Sequence, residues 1–300
     1  MFLESFSLPI NREEQLIEKR MVENGGSYGF IDNIYPCGLF GLKNLQEIYF
    51  RKVTIFYGGN GSGKSTLLNL IANKLGLNRI APFNSSELFD SYAKACRYKM
   101  CYDDDGLKMR IPNGSRIITS DDIFDYMLAV RTNNGEIAEE IERGKREYTR
   151  LKYGETVKFN GMKDYDELRL QLLARTKSLS RRKFIQRTAG KEVKLVSNGK
   201  TALTYFDQKL KNDTLYCLDE PENSMSPKMQ KDLLKMLTEM SHYCGCQFII
   251  ATHSPFLLSM EGARIYDLDS NPVEIRNWWE LENTRMYFEF FEAHKALFQE

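Results

Sequence analysis

Three hundred residues, 42% of them apolar, suffice for one large α/β domain with an insertion or for two small domains, and exclude a chain too polar to build a core. A formal net charge of +1 gives no global field toward nucleic acid or membrane, so any basic patch has to be local. Glu4 and Arg12-Glu13-Glu14 interrupt any leader-type apolar core, and no apolar run nears the ~20 residues of a membrane span, so a soluble cytoplasmic protein without membrane contact is expected.

Residues 12–22 read as a short amphipathic helix, and a loop follows through Gly25, Gly26 and Gly29. Val53 to Tyr57 is a continuous apolar run ending at Gly58-Gly59, which suits a buried parallel strand. Lys64 to Lys74 reads as a helix with Leu67, Leu68, Leu70 and Ile71 toward a core. Ser115–Thr119 reads as another strand. Residues 121–192 then change character, with charge-rich helical stretches such as Glu136 to Leu151, where Glu139/Arg143 and Glu142/Arg146 stand at i,i+4. From Leu215 the strand pattern returns. Leu215–Leu218 and Gln247–Thr252 are buried strands, and Ser226–Tyr243 is the helix between them. The expected division is therefore 1–120 and 193–300 as two halves of one sheet domain, with 121–192 inserted as a helical lid. The six cysteines, Cys37, Cys96, Cys101, Cys217, Cys244 and Cys246, show no CxxC spacing and read as reduced thiols rather than metal ligands or disulfides.

Gly58-Gly59-Asn60-Gly61-Ser62-Gly63-Lys64-Ser65-Thr66 matches GxxxxGK[ST] between a predicted strand and a predicted helix. Its glycines let successive backbone N–H groups wrap phosphates, Lys64 reaches the β- and γ-phosphates, and Ser65 offers its hydroxyl to Mg²⁺. ATP and Mg²⁺ are the ligands this implies; a chance glycine-rich turn is the alternative. Asp219 and Glu220 end the strand from Leu215, at the strand edge where open α/β sheets bind ligands. Asp219 is a candidate for Mg²⁺, and Glu220 for polarising the water that attacks the γ-phosphate. An acidic pair after a strand is in general a solvated strand end. Here it follows the P-loop lysine by some 155 residues and precedes Pro221-Glu222-Asn223. His253 follows Gln247–Thr252 and is a candidate γ-phosphate sensor, against a structural histidine at a strand end. Ser197 and Gly199, in Val196-Ser-Asn-Gly-Lys200, open a helix expected over Lys200–Leu210. They form either an ordinary turn and N-cap or a second anion-binding helix N-terminus.

The order of P-loop, helical insert, Ser-x-Gly-Lys helix, strand-Asp-Glu and strand-His resembles the ABC-type ATPase heads of the SMC, RecF and DNA-repair group over nearly the whole chain. By that resemblance Gly58–Thr66 is Walker A, Ser197–Lys200 the signature, Asp219–Glu220 Walker B, Glu222–Ser226 the D-loop and His253 the H-loop. The implied fold is α/β, an ABC ATPase head with a RecA-like P-loop sheet, an antiparallel β-element and a helical lid. The implied assembly is a homodimer closing on ATP, with each nucleotide between the P-loop of one copy and the Ser197–Gly199 helix of the other. Asp219-Glu-Pro-Glu-Asn-Ser-Met-Ser-Pro227, Ile34-Tyr-Pro36 and Tyr266-Asp-Leu-Asp269 are similar to small stand-alone members found with phage-defence or toxin–antitoxin proteins. The glutamine usual between Walker A and signature has no clear counterpart. Asp121 is the positional candidate for it and for a metal contact, with a helix N-cap as the equal alternative. The insert is too short for the coiled-coil arms of chromosome-organising relatives, at ~1.5 Å per helical residue.

From Arg175 to Lys194 eight basic residues stand against Glu192 alone. They offer a surface for DNA or RNA phosphates, a solvated helix face, or a dock for an acidic partner. The aromatic stretch from Trp278-Trp279 to Phe298 is expected to pack on the domain rather than to bind a partner. No nuclease, protease or polymerase constellation appears, so any effector is expected on a separate chain. The resulting expectation is an ATP hydrolase that senses DNA or controls that effector. The alternative is a slow, nucleotide-held scaffold or toxin–antitoxin component. A transporter subunit is disfavoured by Pro221-Glu222-Asn223 and by the lack of LSGGQ.

Overall fold

The structure, a computed structural model, describes residues 1–9, 12–23, 35–83, 86–154, 171–172, 175 and 198–298. Along the chain these form β1 (Leu3–Ser7), α1 (Arg12–Glu23), β2 (Glu47–Tyr49), β3 (Val53–Tyr57), α2 (Lys64–Leu75), α3 (Glu87–Ala95), β4 (Arg97–Met100), β5 (Arg116–Thr119) and α4 (Ser120–Tyr153). There follow α5 (Asn198–Lys209), β6 (Leu215–Asp219), α6 (Pro227–Tyr243), β7 (Gln247–Ala251), the short α7 (Pro255–Leu258), β8 (Arg264–Asp267), β9 (Glu274–Ile275) and α8 (Glu282–Ala293). The chain divides into two compact units, one of residues 1–124 with 202–300 and one of residues 125–201.

The larger unit holds both sheets. A six-stranded sheet runs β5-β6-β7-β3-β8-β9, parallel from β5 to β8, with only the edge strand β9 antiparallel. The expected parallel P-loop sheet is thus present, and β7 lies between the P-loop strand β3 and the acid-bearing strand β6. All five residues of β3 and of β7 are buried, and all but Thr54 and Gln247 are apolar, as suits parallel strands covered on both faces. Leu67, Leu68, Leu70 and Ile71 of α2 are fully buried in the same core. The expected antiparallel element is present as a three-stranded sheet, β2-β1-β4, with Ser5 of β1 opposite Tyr49 on one side and Lys99 on the other.

Gln247 joins the two sheets. Its side-chain oxygen accepts from the backbone N–H groups of Phe2 and Leu3, each at 2.8 Å, and its amide donates to the carbonyls of Leu3 at 2.8 Å and Arg51 at 3.1 Å. A buried glutamine with every polar site used is stabilising only as long as all partners remain. The hydroxyl of Tyr266 adds a second tie, accepting from Tyr49 N–H at 2.9 Å and donating to its carbonyl at 3.0 Å.

In the smaller unit α4 is continuous to Tyr153, so the expected Glu136–Leu151 stretch is the interior of one 34-residue helix. Its end is capped by Arg175, which donates to the carbonyls of Leu151 at 3.3 Å and Gly154 at 2.7 Å. The rest of the basic run up to Lys194 lies outside the described residues, as does Ser197.

One expectation is overturned. The C-terminal aromatics do not pack on the domain: Tyr287, Phe288, Phe290 and Phe291 of α8 are each more than half exposed, and Thr284 is the one buried residue of that helix. At about 100° per residue these four aromatics share one face of the helix, an arc of about 160°, and that face is left in solvent. The domain holds α8 only at its start, through buried Leu281 and the Asn283 N–H bond to the Tyr57 hydroxyl at 3.1 Å. All six cysteines are free, and no described helix is long and apolar enough to cross a membrane.

Replacing Gln247 by Ala leaves three buried backbone groups and the part-buried Arg51 carbonyl without this partner. We expect a loss of ~3 kcal/mol or more in urea unfolding, with the denaturant slope unchanged. A loss below ~1 kcal/mol would show that water or relaxation replaces the tie.

Candidate functional site

Register decides the site. Phe56 of β3 stands opposite Ala251 of β7, Ala251 opposite Asp219 of β6, and Asp219 opposite Thr119 of β5. The four parallel strands therefore end abreast, and the residues that follow each of them leave the sheet on the same edge. The ladder continues one step through the Glu220 N–H bond to the Ala251 carbonyl at 2.9 Å.

The loop after β3 turns into α2 through Gly61 (φ 82°) and Gly63 (φ 102°), left-handed conformations that favour glycine. At Gly58 (φ 157°) a Cβ would stand 2.5 Å from the Ser62 hydroxyl, so close approach adds to the torsion in demanding glycine there. Gly59, Asn60 and Gly61 form the exposed tip. Lys64, 5% exposed, donates to the Gly58 carbonyl at 2.7 Å and the Gly59 carbonyl at 2.9 Å. The Ser62 hydroxyl is buried without a partner beside this loop, an orphaned donor of the kind an anion satisfies. Thr66 is buried, and its hydroxyl accepts from the Tyr35 hydroxyl at 2.8 Å.

Across the sheet edge Ser65 donates to the Asp219 carboxylate at 3.0 Å. Burial pushes the Asp219 carboxyl up to about 6; the Ser65 hydrogen bond works against that rise, and neighbouring Glu220 adds to it. Glu220 sits at φ 47°, a left-handed position strained for a side-chain-bearing residue. Its Oε1 lies 3.9 Å from Lys64 Nζ and 3.7 Å from His253 Nδ1, while Oε2 accepts from the Asn223 amide at 3.1 Å. The fold thus brings Lys64, Ser65, Asp219, Glu220 and His253 into one cluster.

The other sequence candidates are placed differently. Asp121 is exposed in the first turn of α4, and it is buried Asp122 whose carboxylate accepts from the N–H groups of Ala81 at 2.9 Å and Thr119 at 2.8 Å. The capping carboxylate is thus the second of the two aspartates, because Asp122 is the one able to reach back to Thr119. The helix α5 begins at Asn198, two residues before the expected start at Lys200, so Gly199 lies in its first turn, and Ser197 is outside the described residues.

Two residues outside the P-loop motif also hold the loop. Lys43 donates to the Ser62 carbonyl at 2.8 Å and to the Leu268 carbonyl at 2.5 Å, and Asp269 accepts from Gly59 N–H at 2.7 Å. Asn223, as above, orients Glu220. Asp269 and Tyr35 fall in the two terminal segments that carry the family resemblance, and Asn223 in the Pro-Glu-Asn run. Lys43 carries no sequence signal, since only tertiary structure sets a residue 19 positions upstream against Ser62.

Residues 195–259 match the family model described as "AAA domain, putative AbiEii toxin, Type IV TA system". Solved structures similar to the protein include the SMC head domain from Thermotoga maritima, 14% identical, with 92% of this chain and 99% of that one covered and a TM-score of 0.37. A Pyrococcus furiosus Smc head domain, with an extended coiled coil and bound to the C-terminal domain of ScpA, is also 14% identical, with 83% and 95% covered and a TM-score of 0.37. A dimeric ATP-binding cassette bound to ADP and Pi is 14% identical, with 77% and 88% covered and a TM-score of 0.35. The assignment of the fold rests on the strand order above. No curated protein matches the sequence.

The arrangement fits a nucleotide with a divalent cation: a glycine loop with a buried lysine and an orphaned hydroxyl on one side, a paired hydroxyl and carboxylate on the other. A proton on Asp219 competes with a cation there. Affinity for Mg²⁺ and nucleotide is therefore expected to fall as pH drops through about 6, the value to which burial raises this carboxyl. Calorimetric titrations between pH 7.5 and 5 measure this, and Asp219→Asn should be weak and flat across that range. A wild-type affinity constant over the range would remove Asp219 from the binding site.

Proposed function

We propose that the protein binds and hydrolyses Mg-ATP as an ABC- and SMC-like ATPase and that its head domains dimerise on ATP. The observation that carries this reading is Glu220 standing within 4 Å of both Lys64 and His253, next to the Ser65–Asp219 pair. In this reading the Gly58–Thr66 loop cradles the phosphates with its N–H groups and with the N-terminus of α2. Ser65 and Asp219 hold Mg²⁺, which supplies charge neutralisation at the phosphate oxygens. Lys64, whose ammonium lies 3.9 Å from the Glu220 carboxylate, would neutralise charge on the β- and γ-phosphates. Glu220, oriented by Asn223, accepts the proton of the attacking water, and His253 reads the γ-phosphate.

Ser197 and Gly199 of a second copy complete the site by the family resemblance. The basic run Arg175–Lys194 is the candidate surface for DNA or RNA. The dimer acts on a separate effector chain in the cytoplasm, in phage defence. The family description, which names a toxin, favours as second reading a toxin–antitoxin component in which ATP chiefly holds an assembly. Turnover measured with and without DNA separates the two, since only the first is accelerated.

Lys64→Ala is expected to lower ATP turnover ~100-fold or more, because the ammonium acts where charge develops on the transferring phosphoryl group. Residual turnover within threefold of wild type in a contaminant-checked preparation refutes the assignment. Glu220→Gln keeps the shape but cannot take the proton. It should bind ATP, turn over ~100-fold more slowly and accumulate as a dimer in light scattering at saturating Mg-ATP. A Gln variant that binds ATP and stays monomeric argues against closure on nucleotide.

A further inference from the structure

Glu222 is a carboxylate that the hydrolytic reading leaves without a task, yet it is 4% exposed, beside the catalytic cluster. A buried carboxyl is costly unless its oxygens are bonded. Its Oε1 accepts from the Thr252 hydroxyl at 2.5 Å and from the His253 N–H at 3.3 Å, and lies 3.9 Å from His253 Nδ1. Its Oε2 is buried with no partner. Burial also drives this carboxyl upward, toward the protonated form that an unpartnered oxygen favours.

The turn that carries Glu222 explains its direction. Glu220 is left-handed at φ 47°, and Pro221 follows with its own φ fixed by the ring. Asn223 N–H then returns to the Glu220 carbonyl at 3.1 Å and Met225 N–H to the Glu222 carbonyl at 3.0 Å. Glu220 is thereby sent toward Lys64, while Glu222 is sent under the end of β7.

From there a closed circuit of hydrogen bonds runs through three segments. Thr252 Oγ1, which donates to Glu222, accepts from Ser254 N–H at 3.0 Å. Ser254 Oγ donates to Gln230 Oε1 at 2.6 Å, and Gln230 Nε2 donates to the Met225 carbonyl at 3.1 Å, which returns to the turn. His253 lies inside this circuit, and its backbone N–H is bonded directly to Glu222. Its ring, by contrast, stands beyond hydrogen-bond distance from either carboxylate, at 3.7 Å and 3.9 Å. The ring's position is therefore set through the backbone of 252–254 rather than by a contact of its own.

We propose that Glu222 is a positioning residue for ATP hydrolysis: through Thr252 and the His253 N–H it fixes the His253 imidazole at Glu220 and couples it to the 222–226 turn. The inference rests on the hydrolytic reading of the site. A shift of that turn displaces His253 from Glu220, so the same device would tie turnover to whatever moves residues 222–226.

The test compares Glu222→Leu, which keeps volume but has no acceptor, with Glu222→Gln, which retains an acceptor oxygen for Thr252 and His253 N–H. The Leu variant is expected to lose tenfold or more in kcat with KM for ATP within twofold, and the Gln variant to stay within threefold of wild type. In a His253→Ala background the Leu change should cost less than a further twofold, because the residue it acts through is gone. Full additivity of the two losses overturns the proposal, as does an unchanged kcat in Glu222→Leu. A readout independent of turnover is the imidazole NMR spectrum, simple because the chain has three histidines. Glu222→Leu should move the His253 signals and leave those of His242 and His294, and Gln should restore them. Unmoved His253 signals refute the positioning role even where hydrolysis is absent. Turnover that survives Lys64→Ala refutes the hydrolytic reading and leaves the spectrum to decide the geometry.

Discussion

The bond from the Ser65 hydroxyl to the Asp219 carboxylate joins residues 154 positions apart at 3.0 Å, and it exists because β3, β7 and β6 run parallel and end in register. If β6 slipped by one residue against β7, Asp219 would move to the other face of the sheet and Glu220 would lose its ladder bond to Ala251. The slip is opposed by the close packing of buried Phe248–Ala251 in β7 and Leu215–Leu218 in β6, and by Gln247, whose four side-chain bonds pin the start of β7. Packing of the sheet core is thus the condition for the chemistry at its edge.

Charge placement at that edge follows one pattern. Each acidic residue has different neighbours. Asp219 is raised by burial and moderated by a hydroxyl, Glu220 faces a lysine and a histidine, and Glu222 is buried with one oxygen bonded and one orphaned. Three carboxyls within four residues would repel one another if all were ionised and solvated alike. The left-handed turn at Glu220 separates their directions, which is a physical reason for the strain stored there.

The P-loop is held from outside as well as from within. Lys43 and Asp269 grip its backbone on one side, and Tyr35 bonds Thr66 at the start of α2. Tyr35 also stacks against Phe89 of α3, with ring centroids 6.2 Å apart, so the elements around α2 share one packed layer with the loop. At the opposite extreme is α8, whose aromatic surface is left in solvent because the domain contacts it only at its first turn.

Much of this was legible in the sequence for a local reason. The buried stretches 53–57, 215–218 and 248–251 are largely apolar runs, the P-loop is a contiguous glycine pattern, and Asp219, Glu220 and His253 sit directly at strand ends where chain order alone implies a shared edge. What the sequence could not decide depends on contacts between distant segments. It could not show that Asp122 rather than Asp121 turns inward, since both begin the same helix and only the position of Ala81 and Thr119 selects between them. Nor could it reveal Lys43, whose partners are carbonyls at 62 and 268, or the exposure of α8, whose aromatic composition matches a buried helix. Glu222 is the clearest case. Its neighbours in the chain mark it as part of an acidic, solvated loop, and only the fold, by closing Thr252, Ser254, Gln230 and Met225 around it, turns it into a buried carboxyl bonded to His253. Local pattern determines which segments form strands and helices, because backbone and burial preferences repeat over a few residues; partners across the sheet edge are decided by register and packing, which no local pattern contains.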